Sequence, residues 1–434
     1  MQTAQLTEMN KYNVPSLTRS WAVWTCAALF FCYQFLLRVS PSVMTQELMA
    51  DFHVDACALG TLISFFFYAY VGLQLPVGTL LDRFGPRRLL TFAALVCTGG
   101  SLLFASAETL MVASLGRFLI GAGAAFGFLS CMKLGALWFP PQRISMIVGL
   151  TLLLGTSGAM TGSYPMSFLV DALGWRQAVW VTAGGGVFLA LLIAIVVRDH
   201  APEKLRTYIE KHHPYGNPPL SIWKGMQIIL KKGQTWLLAL YGIMMFVPLA
   251  GFADIWGVPF LTQVHHMDKQ PASLSISALY LGVGLGTPLF AFLSDHFQQF
   301  KFSLLGSALG TLIPFLIVIY GPDLPVFAVV TILFIAGIML GGQFMTYSIV
   351  SEINPLSISG MATGFQNMVC LLSGVIFQPF IGWLLDLFWE EAYENGVRLY
   401  SSAMYQMALT SVIVALLFAT LASLFIREAY PERD

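Results

Sequence analysis

Two ionisable residues stand in stretches that are otherwise apolar. Arg38 lies deep in the run WAVWTCAALFFCYQFLLRVSPSVM, and Asp254 lies at a similar depth in TWLLALYGIMMFVPLAGFADIWGVPF. An arginine in hydrocarbon costs about 2.5–3.5 kcal/mol on insertion scales unless it faces water or a partner. Its planar fork suits two-point recognition of a carboxylate. Arg38 therefore reads either as the anchor for an anionic ligand or as a residue reaching the interface or a backbone carbonyl. Asp254 has three chemistries open to it: a proton site, a counter-ion for Arg38, or a ligand for an ammonium group. Arg117, in a third apolar run, is a candidate for coupling or for bracing helices.

A second cluster is dense and punctuated. GTLLDRFGPRR places Gly78, Asp82, Arg83, Gly85, Arg87 and Arg88 between two long apolar runs. Such a cluster cannot lie in lipid, so it reads as a tight aqueous turn between two membrane helices. Gly78 would let helices approach, Asp82 would end its helix, and the arginines would keep the turn out of lipid. Further polar residues inside apolar runs are candidate ligand contacts: Tyr33, Gln34, Tyr70, Gln343 and Asn367. Amides exposed to lipid are costly, so these must face protein or water.

The elements that hold these residues follow from composition. The 434-residue chain is 57% hydrophobic and only 10% charged, against about 25% charged in soluble domains. Net charge is zero, so nothing supports a nucleic-acid partner. Six cysteines lie in or beside apolar runs with no CxxC pair, and the histidine pairs have no metal-ligand spacing, so no metal or cofactor is expected. No GxxxxGK[ST] sequence exists for ATP. The clustered acids or histidines of a membrane enzyme are also missing. A small-molecule solute and lipid are the partners expected, and the chain is expected to act as a monomer.

A spanning helix needs about 20 mostly apolar residues. Twelve runs qualify, over 21–46, 57–81, 87–106, 111–132, 144–168, 175–197, 235–260, 273–295, 302–321, 325–350, 358–386 and 402–426. The first run is followed by no small-residue cleavage pattern and is expected to be retained. The fold class expected is an all-α membrane protein of twelve transmembrane helices in two pseudo-symmetric six-helix bundles. Its divisions are a tail 1–20, a first bundle 21–197, a linker 198–234, a second bundle 235–426 and a tail 427–434. With the N-terminus inside, inner segments carry sixteen Lys or Arg and outer loops three. The positive-inside rule then makes both termini cytoplasmic. Two six-helix halves joined by a long cytoplasmic loop suit alternating access around a site near mid-membrane.

These motifs resemble the major facilitator superfamily over essentially the whole chain. Its loop signature G-x-L-x-D-R-x-G-x-R-R is matched by Gly78, Leu80, Asp82, Arg83, Gly85, Arg87 and Arg88. Its fourth-span pattern R-x-x-x-G-x-G-A-A is matched by Arg117, Gly121, Gly123, Ala124 and Ala125. The equivalent loop of the second half, AFLSDHFQQFK, keeps only Asp295, and the antiporter Gly-Pro signature of span five is missing from GLTLLLGTSGAMTG. FLLRVSPSVM resembles the anion–cation symporter branch, where this arginine contacts an anionic substrate. That branch's acids, before the arginine and in span four, are replaced by Leu37 and Ala124. FFCYQFLLRVSPSVM and FADIWGVPFL also resemble the phagosomal nutrient transporters of intracellular bacteria, importers of amino acids or nucleosides.

The resemblance implies a secondary active transporter of a small polar solute (organic anion, amino acid or similar nutrient), working by proton-coupled symport in a bacterial inner membrane. It also implies a gating role for the loop cluster, with Asp82 pairing with an end of span eleven in the outward-facing state. Alternatives of the same fold are a nucleoside, peptide or siderophore carrier, an exporter, or a non-transporting receptor or partner subunit.

Overall fold

The structure, a computed structural model, describes residues 18–140, 143–200, 222–297, 299–355, 358–394 and 397–428. Most of the expected linker and the ends of both tails lie outside the described residues. Without water, only a helix or a closed barrel can satisfy every backbone group, and this chain adopts helices. Among the described residues twelve are long and apolar enough to span a membrane. They are α1 (Thr18–Val43), α2 (Ala56–Phe84), α3 (Pro86–Ala105), α4 (Leu110–Trp138), α5 (Met146–Leu173) and α6 (Trp175–Val196), then α7 (Gly233–Val264), α8 (Lys269–Ser294), α9 (Phe300–Tyr320), α10 (Val326–Glu352), α11 (Ser359–Leu387) and α12 (Ser402–Phe425). The end of the expected linker forms a short helix, Ile222–Lys231, and another, Thr45–Phe52, follows α1. A two-residue hairpin, Tyr393–Glu394 with Val397–Arg398, joins α11 to α12.

Four spans at intervals of three are irregular. α1 ends in a 3-10 turn, Ser40–Val43, and α4 is interrupted at Ala125 and Phe126. α7 widens into nine residues of π-helix, Pro248–Trp256, and α10 tightens to a 3-10 turn at Gly341–Phe344. Pro41 and Pro248 lack the N–H that a regular ladder needs. Gly341 and Gly342 leave the backbone of α10 free to tighten. These interruptions occur where helices face protein, the only place lipid tolerates them.

Within the first half α3 packs on α4 and α6, α1 on α5, and α2 on α4; within the second, α8 packs on α10 and α9 on α12. Between halves, α2 packs on α11 and α5 on α8. Large side chains such as Phe188, Ile195, Phe327 and Phe425 are exposed on the outside of the bundles. In a membrane they meet acyl chains, so close packing and polar contacts have to hold the helices together.

The turn between α2 and α3 is a single residue, Gly85, at φ 80°. Only glycine adopts that geometry readily, and a Cβ there would meet the Asp199 carboxylate. Asp199 Oδ1 instead accepts from the Arg87 backbone N–H at 2.8 Å, and the Arg87 guanidinium donates to the Ala194 carbonyl at 2.7 and 3.0 Å. Arg87 thus pins the turn to the end of α6, while Arg83 and Arg88 are exposed. α2 continues two residues beyond Asp82. Asp82 pairs with Lys133 of α4 in its own half. A Cβ at Gly78 would meet nothing within 4 Å. The close approach expected at Gly78 is therefore missing in this state, because the halves are apart at this end.

At the opposite end the halves are tightly joined. The first N–H groups of α2 lack intrahelical acceptors. Asp386, from the end of α11, accepts from Cys57 N–H at 2.7 Å and Ala56 N–H at 3.4 Å. Tyr400 Oη and Arg398 Nη1 also donate to Asp386, at 2.5 and 3.0 Å. Burial, reinforced by that carboxylate, raises the Tyr400 phenol above its ordinary pKa, so it remains a donor. Lys269, at the start of α8, donates to Glu47 of the short helix after α1 at 2.6 Å and to Asp171 of α5 at 2.9 Å. The seam is closest at two glycines. A Cβ at Gly60 would strike the Gln378 backbone, and one at Gly382 the Ala56 backbone.

Because both obstacles are backbone, Gly382→Leu is expected to force this face open. Cys57, half-buried at the seam, would then react several-fold faster with a membrane-impermeant maleimide supplied to that face. An unchanged rate would show that the seam yields to a side chain.

Candidate functional site

The helical interruptions bring Arg38 and Asp254 together. Arg38 Nε donates to Asp254 Oδ2 at 2.9 Å and Nη2 to Oδ1 at 3.4 Å, a two-point ion pair between the halves. Both are buried, Arg38 4% and Asp254 0% exposed. Tyr280 of α8 also donates to Asp254 Oδ1. The guanidinium is flanked by the rings of Phe35, Phe246 and Phe67 at 4.7, 5.4 and 5.7 Å. Of the readings open to Asp254, the geometry realises the counter-ion.

Arg117 supports this pair from behind. Pro41 has no N–H, so the Leu37 carbonyl loses its usual helical donor. Arg117 Nη1 donates to that carbonyl at 2.8 Å, and Nη2 reaches the Arg38 carbonyl at 3.5 Å. A cation at a helix C-terminus is also favoured by the helix dipole. Arg117 is 1% exposed, and Phe66 covers its guanidinium. It does not line the central cavity, so the structure gives it a bracing position.

The cavity has a volume of about 680 Å³. Arg38 and Tyr280 stand at its apex; Ser294, Ser351, Glu352 and Thr363, near the ends of α8, α10 and α11, line its mouth. It therefore opens on the side that carries the Gly85 turn, away from the Asp386 seam. Of the candidate ligand contacts, Gln34, Tyr70 and Asn367 line it. Tyr347 donates to Asn367 Oδ1 at 3.0 Å.

Two expected liners do not. Tyr33 points away, its hydroxyl lying against Gly186 of α6 and Thr98 of α3. Gln343 is 2% exposed within the 3-10 turn of α10, outside the lining. Tyr347 is a liner that the sequence did not single out; a tyrosine in a span carries no signal of which way it faces. Among the described residues no group of three or more His, Cys, Asp or Glu is placed to hold a metal ion.

Twelve spans in two bundles, closed at one end around a buried ion pair and open at the other, define a membrane carrier and not an enzyme. A family model described as Major Facilitator Superfamily matches residues 26–347 and 255–434, and the chain belongs to that superfamily. It is 25% identical to the uncharacterized transporter YybO of Bacillus subtilis over 417 residues, covering 86% of this chain and 89% of that one. It is 23% identical to the probable galactarate/D-glucarate transporter GudP of Escherichia coli over 421 residues, 90% and 92% of the two chains. The fold resembles a crystal structure of a bacterial homologue of the human lysosomal transporter Spinster, in its inward-facing and unoccupied conformation. The TM-score is 0.77 at 17% identity, over 96% of this chain and 99% of that one.

Removing one member of a buried pair leaves an uncompensated charge, at a cost of about 3–5 kcal/mol, whereas apolar replacement of both is often neutral. Arg38→Leu and Asp254→Leu are each expected to lower the thermal midpoint of the purified protein by several degrees. The double variant is expected to recover most of that loss. Additive losses in the double variant would show that the pair does not stabilise the fold.

Proposed function

We propose that this protein carries a small organic carboxylate across the membrane, one proton accompanying each carboxylate, by alternating access. The observation that carries the reading is the buried Arg38–Asp254 pair at the cavity apex. Without substrate, Asp254 neutralises Arg38. A substrate carboxylate takes the guanidinium fork only if Asp254 gives it up, and a proton on Asp254 lets it do so. The apex then holds Arg38 with the substrate's carboxylate beside a neutral Asp254, with no change in its net charge. Release of substrate allows Asp254 to lose the proton and pair again. A bare exchange without the proton would leave two carboxylates on one buried guanidinium, a state that desolvation disfavours.

The relatives support an anionic cargo: beside GudP, they include the nitrate/nitrite transporter NrtP of Picosynechococcus and the 4-hydroxybenzoate transporter PcaK of Pseudomonas putida, each aligned over half of this chain or less. The Lys and Arg distribution supports cytoplasmic termini, which makes the present state inward-facing, and the relatives' bacterial sources suit an inner membrane. Asp82, paired within its own half here, is then free to meet α11 when the cytoplasmic side closes, together with the rest of the loop cluster from Gly78 to Arg88. The protein acts as a monomer, since one chain completes the cavity.

In proteoliposomes, Asp254→Asn is expected to abolish accumulation of a labelled carboxylate driven by a pH gradient. Arg38→Ala is expected to reduce both accumulation and counterflow at least tenfold. Full pH-driven accumulation by Asp254→Asn would remove Asp254 from the coupling step, and undiminished carboxylate counterflow by Arg38→Ala would remove the anchor.

A further inference from the structure

We infer that the cargo is a monocarboxylate with a flat apolar or aromatic body and one hydrogen-bond donor about a helical turn from its carboxylate, not a polyhydroxylated diacid. This deepens the carboxylate reading above and rests on it.

Three observations converge. The first is the supply of cations. Among the described residues Arg38 is the only arginine or lysine lining the cavity. Arg117 is spent on the Leu37 and Arg38 carbonyls, and Lys133 on Asp82. Among the described liners a second carboxylate would find no cationic counter-ion. The second is the wall. Phe31, Phe35, Phe128, Phe246 and Phe344 all line the cavity, and Phe35 and Phe246 also flank Arg38. Rings of this kind favour another ring, stacked or edge-on. They offer nothing to the hydroxyls of a sugar acid, each of which would lose its water. The polar groups beside them are partly committed: Tyr280 to Asp254 and Tyr347 to Asn367.

The third is Gln34. It lies one turn before Arg38 on α1, so the two side chains share a face with Cβ atoms about 5–6 Å apart. Gln34 lines the cavity, is 1% exposed, and its Oε1 has no hydrogen-bond partner. A buried amide oxygen requires a donor. A hydroxyl or N–H on the far side of a ring whose carboxylate sits on Arg38 would supply it.

The test is a panel of probes on the purified full-length protein, read by thermal shift and by competition in proteoliposome counterflow. The probes are 4-hydroxybenzoate, benzoate, galactarate and uridine. Binding of 4-hydroxybenzoate is expected to be about tenfold tighter than that of benzoate, roughly one net hydrogen bond. Galactarate is expected to produce no saturable response. Gln34→Leu is expected to erase the preference for the hydroxylated ring while benzoate still binds. Galactarate binding as tightly as either aromatic acid would overturn the inference and leave the carboxylate reading standing. Equal binding of the two aromatic acids, or a preference surviving in Gln34→Leu, would overturn the donor assignment. A response to uridine alone would defeat the carboxylate reading and this inference with it.

Discussion

A guanidinium and a carboxylate removed from water in the middle of a membrane protein are the constraint around which the rest is arranged. Neither charge is tolerable there alone, and each belongs to a different half of the chain. Their meeting requires α1 and α7 to end or widen at matching places, and both do so at prolines, Pro41 and Pro248. The proline that shapes the end of α1 also strips a donor from the Leu37 carbonyl, and Arg117 replaces it. One irregularity therefore accounts for two buried arginines. Arg117 stays behind the apex on the Leu37 and Arg38 carbonyls, so Arg38 is the cation that a ligand in the cavity meets.

Much of this was legible in the sequence, because lipid imposes simple rules. A span must be about 20 apolar residues long, and the twelve runs emerge from that alone. Arg38 and Asp254 were conspicuous because ionisable groups in such runs are rare. What stayed illegible was direction. In a soluble helix a polar stripe marks the outer face, but in these spans the lipid face and the packed face are both apolar. Tyr33 and Gln34 are neighbours, yet one turns towards α3 and α6 and the other into the cavity. The misplacement of Gln343 has a local cause, since the 3-10 turn of α10 alters the side-chain phase in a way composition does not announce. Asp386 did carry a readable signal. An acid in the last turn of a helix opposes the helix dipole and needs another helix's N-terminus or a cation; here it has both.

The seam and the apex differ in kind, and the difference suits a carrier. Glu47, Asp171, Lys269, Asp386 and Arg398 are partly exposed, with side-chain exposures of 13 to 35%. Pairs in such settings contribute little each, about 0–1 kcal/mol when fully surface-exposed, so the closed face is a sum of small terms that thermal motion undoes together. The Arg38–Asp254 pair is buried, and parting it without replacement is costly. A face held by weak contacts can open on its own; an apex held by a strong one opens only when each partner has something else to bind. On the proposed mechanism a proton and a carboxylate are those replacements, and the same physics that makes the pair expensive to break makes uncoupled leakage rare.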